Sequence, residues 1–437
     1  MQQPKNLLAC AVALGLFVTS SAALADSVPE LERISEVNIP LDTVRFVGTG
    51  YDKTFNFQVG VGSGAFRHPA DPKGVIYTVS DRGVNIGCGD DVELVGADIC
   101  ASGKIFPVPN FAPSIYRFEE NKQKGKGWKL TQVIQLKDSR SMPISGLPNP
   151  FVNTDTEEAL DASGAVMDFD PNGLDTESLV KLSDGTFWLG EEYGPSIVHV
   201  SATGEVLERL VPVGLDADLS EASYPVSGVL PAILSKRKLN RGIESIAVSS
   251  DEQTLYFILQ SPLANPDNNA YKNSRNVRLF TFDLGSKTVT GEYVYVLDLP
   301  GTFTADSSSK QTSVKVSELT MLPNGKLMVL ERVNKTTKLY TVDFSGATNI
   351  SGSGWDSAAT TPSLEKQTNF AAMGLVPVAK TLMLDSAINL PGQLPSKVEG
   401  VAVLDNKHLL LVNDSDFSIE GDTTYFSVVE LGKRISE

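Results

Sequence analysis

Four glutamates recur at corresponding places in a repeated pattern of this 437-residue sequence. Each stands in a short apolar segment that is followed by a polar turn and a second apolar segment. The four are Glu177, Glu244, Glu318 and Glu399. Equivalent positions converge when successive repeats surround an axis, so the pattern predicts a ring of carboxylates. Because like charges at close range cannot all ionise unaided, we expect a bound cation, a basic partner or raised pKa values among them.

Several carboxylate oxygens at one place are typical ligands of calcium, or of magnesium that keeps some of its waters. The second apolar segments end in another tier of polar residues, in which Asp81 and Asp414 are further candidate metal ligands. The alternative is that each glutamate accepts hydrogen bonds from backbone amides of the neighbouring repeat and so holds the fold together. Four glutamates in register favour the shared site, and the alternative stays open for each one singly.

Candidate catalytic residues lie in the same tier of the sequence. Glu191 and Glu192 could serve as general base toward water, and Arg82 and Arg332 could meet a phosphate or pair with the glutamates. No nucleophile-elbow serine motif, phosphate-binding loop or dinucleotide fingerprint occurs in the sequence. Its three histidines are far apart, which argues against a histidine-based triad and against structural zinc.

The elements that must position these residues are predicted β-strands. The head glutamates lie 67, 74 and 81 residues apart, which suits a four-stranded blade with its loops. A fifth copy carries Gly62-Ser-Gly64 where the others have glutamate. We therefore predict an all-β protein, a β-propeller of five blades. The segment 140–172 is interpreted as a long loop on the functional face, with part of a sixth blade as the alternative. A strand near residues 34–41 is expected to complete the last sheet and close the ring.

The N-terminus and the composition indicate an exported protein. Residues 1–25 have the pattern of a cleaved secretory signal peptide, which leaves 26–437 as one domain in the periplasm or outside the cell. Cys88 and Cys100 are expected to form a disulfide in that oxidising compartment. The net charge of −16 argues against nucleic acid and anionic membranes as partners. We expect a monomer without a membrane span that acts on a small-molecule ester.

A series of motifs in chain order carries a family resemblance. They are Gly62-Ser-Gly64, Val79-Ser-Asp-Arg-Gly83, Asp175-x-Glu177, Phe187-Trp-Leu-Gly-Glu-Glu-Tyr-Gly-Pro195, Arg241-Gly-Ile-Glu244, Ser317-Glu318, and Val398-Glu-Gly400 with Asn413-Asp414. From about residue 45 to residue 431 the sequence resembles the bacterial phytase-like family, whose members are often labelled esterase-like. The resemblance implies a propeller and a calcium-dependent phosphoric-ester hydrolase. The sequence shows no basic cluster of the kind expected around a phytate site, so inositol polyphosphate is not favoured as substrate.

Two other functions fit the same residues. The protein could be a non-catalytic propeller that binds a ligand or a protein and holds a structural metal. It could also be a lactonase-like sugar-ester hydrolase with one central calcium. Because propellers host all three functions, the fold alone does not choose among them.

Overall fold

The computed structural model describes residues 28–48, 51–88, 99–121 and 127–435. The predicted signal peptide at 1–25 lies outside these residues. Nearly all the regular secondary structure of the described chain is β-strand, as predicted. Two short α-helices and several single-turn 3₁₀ helices lie in the connections. None of the helices among the described residues is both long and apolar enough to cross a membrane.

The strand and helix bounds are as follows. In chain order the strands are β1 (Glu30–Val37), β2 (Pro40–Gly48), β3 (Tyr51–Gln58), β4 (Gly64–Phe66), β5 (Val75–Val79), β6 (Ile86–Gly87), β7 (Lys104–Ile105), β8 (Ser114–Glu120), β9 (Trp128–Gln135), β10 (Ala159–Leu160), β11 (Thr176–Lys181), β12 (Phe187–Glu191), β13 (Ser196–Val200), β14 (Val206–Pro212), β15 (Val226–Leu230), β16 (Ile243–Val248), β17 (Thr254–Leu259), β18 (Asn276–Asp283), β19 (Thr288–Val296), β20 (Lys315–Met321), β21 (Leu327–Arg332), β22 (Thr337–Asp343), β23 (Ala379–Asp385), β24 (Val398–Val403), β25 (His408–Asn413) and β26 (Thr424–Glu430). The α-helices are α1 (Asn268–Asn273) and α2 (Ser386–Asn389). The 3₁₀ helices are Ala232–Lys236, Pro300–Thr302, Gln311–Ser313, Gly354–Asp356, Leu364–Lys366, Ala371–Met373 and Asp416–Ser418.

Five sheets share one plan, in which the chain runs back and forth through neighbouring antiparallel strands. Sheet 1 is β4-β5-β8-β9, sheet 2 is β11-β12-β13-β14-β15, sheet 3 is β16-β17-β18-β19, sheet 4 is β20-β21-β22-β23, and sheet 5 is β24-β25-β26-β1. The strand β15 is an addition to the plan and pairs parallel to β14. Glycines make the tight turns between first and second strands in sheets 2 and 4, where Gly185 and Gly325 have φ of 91° and 78°. Only glycine adopts that conformation without steric cost.

The N-terminal strand belongs to the last sheet, as expected, but four residues earlier than the sequence suggested. β1 pairs antiparallel with β26, from Glu30 opposite Glu430 to Val37 opposite Thr424. The predicted range 34–41 ran too far because its last residues already begin β2, which forms a separate hairpin with β3. Sheet 5 is therefore assembled from both ends of the described chain.

The first strands of the five sheets contact one another in chain order. β4 contacts β11, β11 contacts β16, β16 contacts β20 and β20 contacts β24, while β24 in turn contacts β4. Apolar side chains fill the space between adjacent sheets: Trp188 of sheet 2 packs in one cluster with Ile246 and Phe257 of sheet 3. The five first strands therefore lie next to one another.

The segment 140–172 forms no additional four-stranded sheet; all of it lies in the described range 127–435. Its only strand is β10, which pairs with β7 in a small sheet of order β10-β7-β6. Cys88 and Cys100 are joined by a disulfide beside this small sheet, as predicted. The long-loop interpretation therefore describes the segment better than the sixth-blade alternative does.

Candidate functional site

A β-bulge in each of four first strands decides which side chain faces the centre. The register between first and second strands shifts at one residue in each of sheets 2 to 5. These extra residues are Glu177, Glu244, Ser317 and Glu399. A bulge re-aims its side chain, so these four are the structurally equivalent head residues. In sheet 1 the equivalent position is the residue just before Gly64, the first residue of β4 that is paired with β5, and this residue is Ser63.

Glu318 is not a member of this set, which corrects the sequence alignment by one residue. It is the paired residue that follows the bulge, opposite Leu330. Its Oε2 accepts hydrogen bonds from the backbone N–H of Ala65 in sheet 1 and of Val401 in sheet 5, each at 3.2 Å. Burial raises the pKa of Glu318 to about 8. The fold-holding role that was left open for each glutamate is the one that Glu318 has.

Residues at the end of each second strand, or one or two positions beyond it, form a second tier next to the heads. They are Asp81, Glu192, Gln260, Arg332 and Asp414, of which all but Asp81 face the strand residue two before a head. Asp175 faces Glu192, with a 2.9 Å bond between their backbones, and Lys315 faces Arg332. Five sheets thus contribute two tiers of polar side chains to the place where the first strands meet. We call this place the mouth.

Glu191, one of the two predicted general bases, points away from this mouth. Its carboxylate is fully buried and accepts hydrogen bonds from Gly194 N–H, from Ser196 Oγ–H at 2.8 Å and from Arg209 Nη2 at 2.8 Å. The strand alternation that sends Glu192 inward sends Glu191 outward. Glu191 therefore fixes the turn after β12 and does not reach a ligand in the mouth.

Three carboxylates come together at the mouth. Asp81, Asp175 and Glu177 each present an oxygen, and these oxygens all lie within 4.8 Å of one another. Burial raises the pKa of Asp81 and of Glu177 well above the usual range, and repulsion among the neighbouring carboxylates adds to it. The charge of Asp414 acts directly on Asp81. We call Asp81, Asp175, Glu177 and Asp414 the acidic group.

Two buried oxygens of the acidic group lack a hydrogen-bond donor. Asp175 Oδ2 and Asp414 Oδ1 are buried and accept no hydrogen bond. The nearest guanidinium nitrogen to Asp175 Oδ2 is Arg82 Nε, 3.4 Å away. Buried carboxylate oxygens are normally satisfied by donors or by metal ions. The donor set therefore fits a hard divalent cation such as calcium.

Two further carboxylates, those of Glu192 and Glu244, lie beside the acidic group. Gln260 Nε2 donates to Glu192 Oε1 at 2.7 Å and to Glu244 Oε2 at 2.6 Å, which holds the two side chains together. Burial, followed by repulsion from Glu244, raises the pKa of Glu192 well above the usual range. Arg241 Nη1 lies 3.7 Å from Glu192 Oε1. Glu192 is thus a buried carboxyl that holds a proton more readily than an ordinary glutamate.

Three cations face these carboxylates, and we call Arg241, Lys315 and Arg332 the basic group. Burial and repulsion by the two arginines hold the pKa of Lys315 well below its usual range. Arg332 donates from Nε to Ser317 Oγ at 3.0 Å and forms an ion pair with Glu399. The basic group is a cluster that the sequence analysis did not find. Its members are scattered over some ninety positions of the sequence, and only the fold assembles them.

A cleft of about 480 Å³ opens next to the basic group. Four of its lining residues are cationic: Lys315, Arg332, Lys335 and Lys397. An anionic ligand at the mouth would therefore meet carboxylates on one side, where a metal ion could bridge, and cations on the other.

Arg82 connects the mouth to the long loop. Its Nη2 donates to Glu157 Oε1 at 2.5 Å, and its guanidinium lies 5.1 Å from the ring centroid of Tyr193. The side chain is buried, and its neighbouring carboxylates raise its pKa above that of an ordinary arginine. Arg82 is thus held in place between Asp175 and Glu157, which makes it a positioning residue in this structure. Through this contact the segment 140–172 touches a residue next to Asp175.

Sequence reasoning missed three residues of the site, namely Asp175, Lys315 and Glu157. A simple signal could have found Asp175, because it stands two residues before the head residue Glu177. Lys315 stands two residues before Ser317, a head that only the strand register identifies. Strand alternation places such a residue on the same face. Glu157 left no comparable signal, since it reaches the mouth from an irregular loop.

Known proteins resemble this chain to different degrees. An "Uncharacterized secreted protein" of Arthroderma benhamiae is 27% identical over 237 residues, which are 47% of this chain and 45% of that protein. The chain thus spans about half the length of this curated relative. Among solved structures, the calcium-binding protein regucalcin of Agrobacterium tumefaciens is 13% identical with a TM-score of 0.34, covering 86% of this chain and 96% of that one. The aldose sugar dehydrogenase of Streptomyces coelicolor is 9% identical with a TM-score of 0.33, covering 92% of this chain and 98% of that one. These two likenesses are too distant to carry an argument about chemistry. A family model described as "Esterase-like activity of phytase" matches residues 59–417, and the chain therefore belongs to the phytase-like family.

Proposed function

We propose that this protein is an exported, metal-dependent hydrolase of phosphoric esters whose active site is the mouth formed by the five first strands. One observation carries the proposal: the acidic group, with two unsatisfied buried oxygens, lies beside the basic group. A phosphoric ester is an anion that needs both a bridging cation and positively charged side chains. The membership in the phytase-like family and the secreted relative agree with this substrate class and with export.

The architecture that we propose is a closed propeller of five blades. The cyclic order of contacts among the first strands supports it, as does the pairing of β1 with β26. Closure matters for function because it fixes five strand ends around one axis. Side chains from sheets that are distant in the chain can then act as one rigid site.

Asp81, Asp175, Glu177 and Asp414 are the residues that would hold the metal, which we propose to be calcium. When bound, the ion supplies charge neutralisation for the phosphate and lowers the pKa of a coordinated water. Magnesium is the alternative that the same oxygens allow. The residues around this centre then determine how an ester is held and where its proton goes.

The basic group orients the substrate and Glu192 handles the proton. Arg241, Lys315 and Arg332 bind the non-bridging phosphate oxygens and compensate the charge that develops on them. Glu192 accepts a proton from the attacking water; burial and repulsion from Glu244 raise its pKa and so make its carboxylate a stronger base than that of an ordinary glutamate. Gln260 keeps the Glu192 carboxylate in position through its 2.7 Å bond.

The decisive experiment measures calcium-dependent hydrolysis of p-nitrophenyl phosphate and bis-p-nitrophenyl phosphate. We expect turnover with calcium and none with a chelator. Glu192→Gln should lower kcat by about 100-fold or more. Asp175→Asn should abolish the turnover that calcium supports. Asp168→Asn is the matched control, because Asp168 is exposed on the long loop.

The same assay separates the competing functions. A calcium-induced rise in melting temperature without turnover of either phosphoester would replace our proposal by the binding propeller. Turnover of sugar lactones, without turnover of phosphoesters, would replace it by the lactonase-like enzyme. No calcium effect on either melting temperature or turnover would overturn the metal centre itself.

A further inference from the structure

A second group of metal-ligating side chains lies in sheet 5. Glu32, His408 and Glu430 each present one ligand atom, and these atoms all lie within 4.8 Å of one another. The three residues come from β1, β25 and β26, which are adjacent strands of one sheet. Unlike the central acidic group, this one contains an imidazole.

The strand register explains why the three side chains meet. His408 is directly opposite Glu430, and residues paired in this way project from the same face of a sheet. Glu32 is the extra residue of a bulge in β1, between Leu31 and Arg33. The bulge re-aims Glu32 so that its Oε1 lies 3.5 Å from His408 Nε2.

The imidazole of His408 is held in an orientation that suits metal binding. Its Nδ1 lies 2.8 Å and 2.9 Å from the two carboxylate oxygens of Asp405. Asp405 is itself fixed, because its Oδ1 accepts the backbone N–H of Lys407 at 2.7 Å. The tautomer that donates its Nδ1 proton to Asp405 presents the Nε2 lone pair on the side of Glu32, which is the form that binds a metal. This is the arrangement that a metal-binding histidine usually has.

An ion can reach these ligands from solvent. A cleft of about 610 Å³ is lined by Glu32, Asp405 and His408 among others. Lys407 Nζ lies 3.2 Å from Glu430 Oε1, but its side chain is 42% exposed and can turn into solvent when a cation binds. One imidazole nitrogen with two carboxylates suits zinc and related transition metals, whereas calcium prefers oxygen ligands alone.

We propose that Glu32, His408 and Glu430 form a binding site for zinc or a similar divalent transition metal, with Asp405 orienting the histidine. The site would join the N-terminal strand β1 to β25 and β26, at the place where the two ends of the described chain form one sheet. It is separate from the mouth, because His408 begins β25 and Asn413 ends it, a length of about 17 Å. The cysteine and histidine count had argued against zinc; carboxylates from other strands supply the ligands that this count ignores.

The test uses the small number of histidines. The sequence has three, so a protein labelled with ¹⁵N at histidine gives three sets of ring signals. With calcium present to saturate the mouth, one equivalent of zinc should shift the Nε2 signal of His408. The ring signals of His68 and His199 should stay unchanged. Zinc should also raise the melting temperature by about 2–4 °C.

Three variants make the result decisive. His408→Asn and Glu32→Gln should each weaken zinc binding by about 10-fold or more. Glu36→Gln is the matched control, because Glu36 is an exposed glutamate on the same strand. Zinc binding that survives unchanged in His408→Asn, or a His408 signal that zinc does not move, would overturn the proposal. Neither outcome would bear on hydrolysis at the mouth.

Discussion

The carboxylates of the mouth are largely buried and lie close to one another. Asp81, Glu177 and Glu192 have pKa values raised well above the usual range, with burial as the largest cause. Such groups hold protons in the folded state that they release in the unfolded state. A cation bound among them must therefore displace protons, which ties metal affinity to pH.

The first prediction concerns stability without metal as a function of pH. Between about pH 4, where the unfolded carboxyls ionise, and the raised pKa values of the folded state, the native protein binds more protons than the unfolded one. Its stability therefore falls as pH rises through this window. We expect the chelated protein to melt at a lower temperature at pH 8 than at pH 5, and calcium to raise the melting temperature more at pH 8. A calcium shift equal at both pH values would contradict this account.

The second prediction compares two buried glutamates of opposite role. Glu177→Gln removes one of several repelling charges, so it should stabilise the metal-free protein at pH 8 by about 1 kcal/mol or more. In the native protein, backbone N–H groups donate to the Glu318 carboxylate. Glu318→Gln replaces this carboxylate by an amide, so it should destabilise the folded protein by about 1–3 kcal/mol. Urea unfolding in the presence of a chelator measures both. If Glu318→Gln also raised the free energy of unfolding, Glu318 would belong with the glutamates that repel one another.

The strands explain which parts of the site the sequence could predict. Alternating apolar residues and glycine turns made the repeated sheets visible, and the tiers at the strand ends followed from them. The bulge was invisible, because Ser317 and Glu318 are adjacent and only the register tells which of them is the extra residue. The same one-residue ambiguity affected Glu191 and Glu192. Of the basic group, Arg332 was a candidate from the sequence, but its grouping with Arg241 and Lys315 could not be predicted, since the three share no motif.

The third prediction concerns the loop that is connected to the mouth through Arg82. Glu157→Gln keeps an oxygen that can accept the Arg82 hydrogen bond but removes the negative charge that pairs with this buried guanidinium. The loss should amount to about 1–3 kcal/mol and should loosen the segment 152–168. Hydrogen exchange of that segment, followed by mass spectrometry, should be faster in this variant. Glu158→Gln is the control, because the neighbouring Glu158 side chain is exposed. Equal exchange in the two variants would mean that Arg82 does not hold the loop.

At the scale of the whole molecule, the mouth depends on sheets that are far apart in sequence. The acidic group combines residues from sheets 1, 2 and 5, whereas the basic group comes from sheets 3 and 4 and the chain next to them. Neither group can persist if one sheet separates from its neighbours. The net charge of −16 adds self-repulsion to this assembly and favours the binding of a cation. The junction in sheet 5, where β1 is held by β26, is therefore a point on which the distant mouth depends.

The fourth prediction tests that dependence. A chain that begins at residue 39 lacks β1 and leaves the edge of β26 unpaired, with Leu31 removed from the apolar cluster of sheets 4 and 5. We expect its melting temperature to fall by about 5–10 °C, and its calcium-induced shift to shrink, because Asp414 at the end of β25 is no longer firmly held. A peptide of residues 28–38 added in excess should restore part of both, since it can pair with the free edge as an added strand. A chain that begins at residue 28 controls for removal of the terminus itself. The shorter chain could instead melt and bind calcium as this control does. In that case β1 would contribute nothing to the stability of the mouth, and ring closure would have to rest on the contact between β4 and β24 alone.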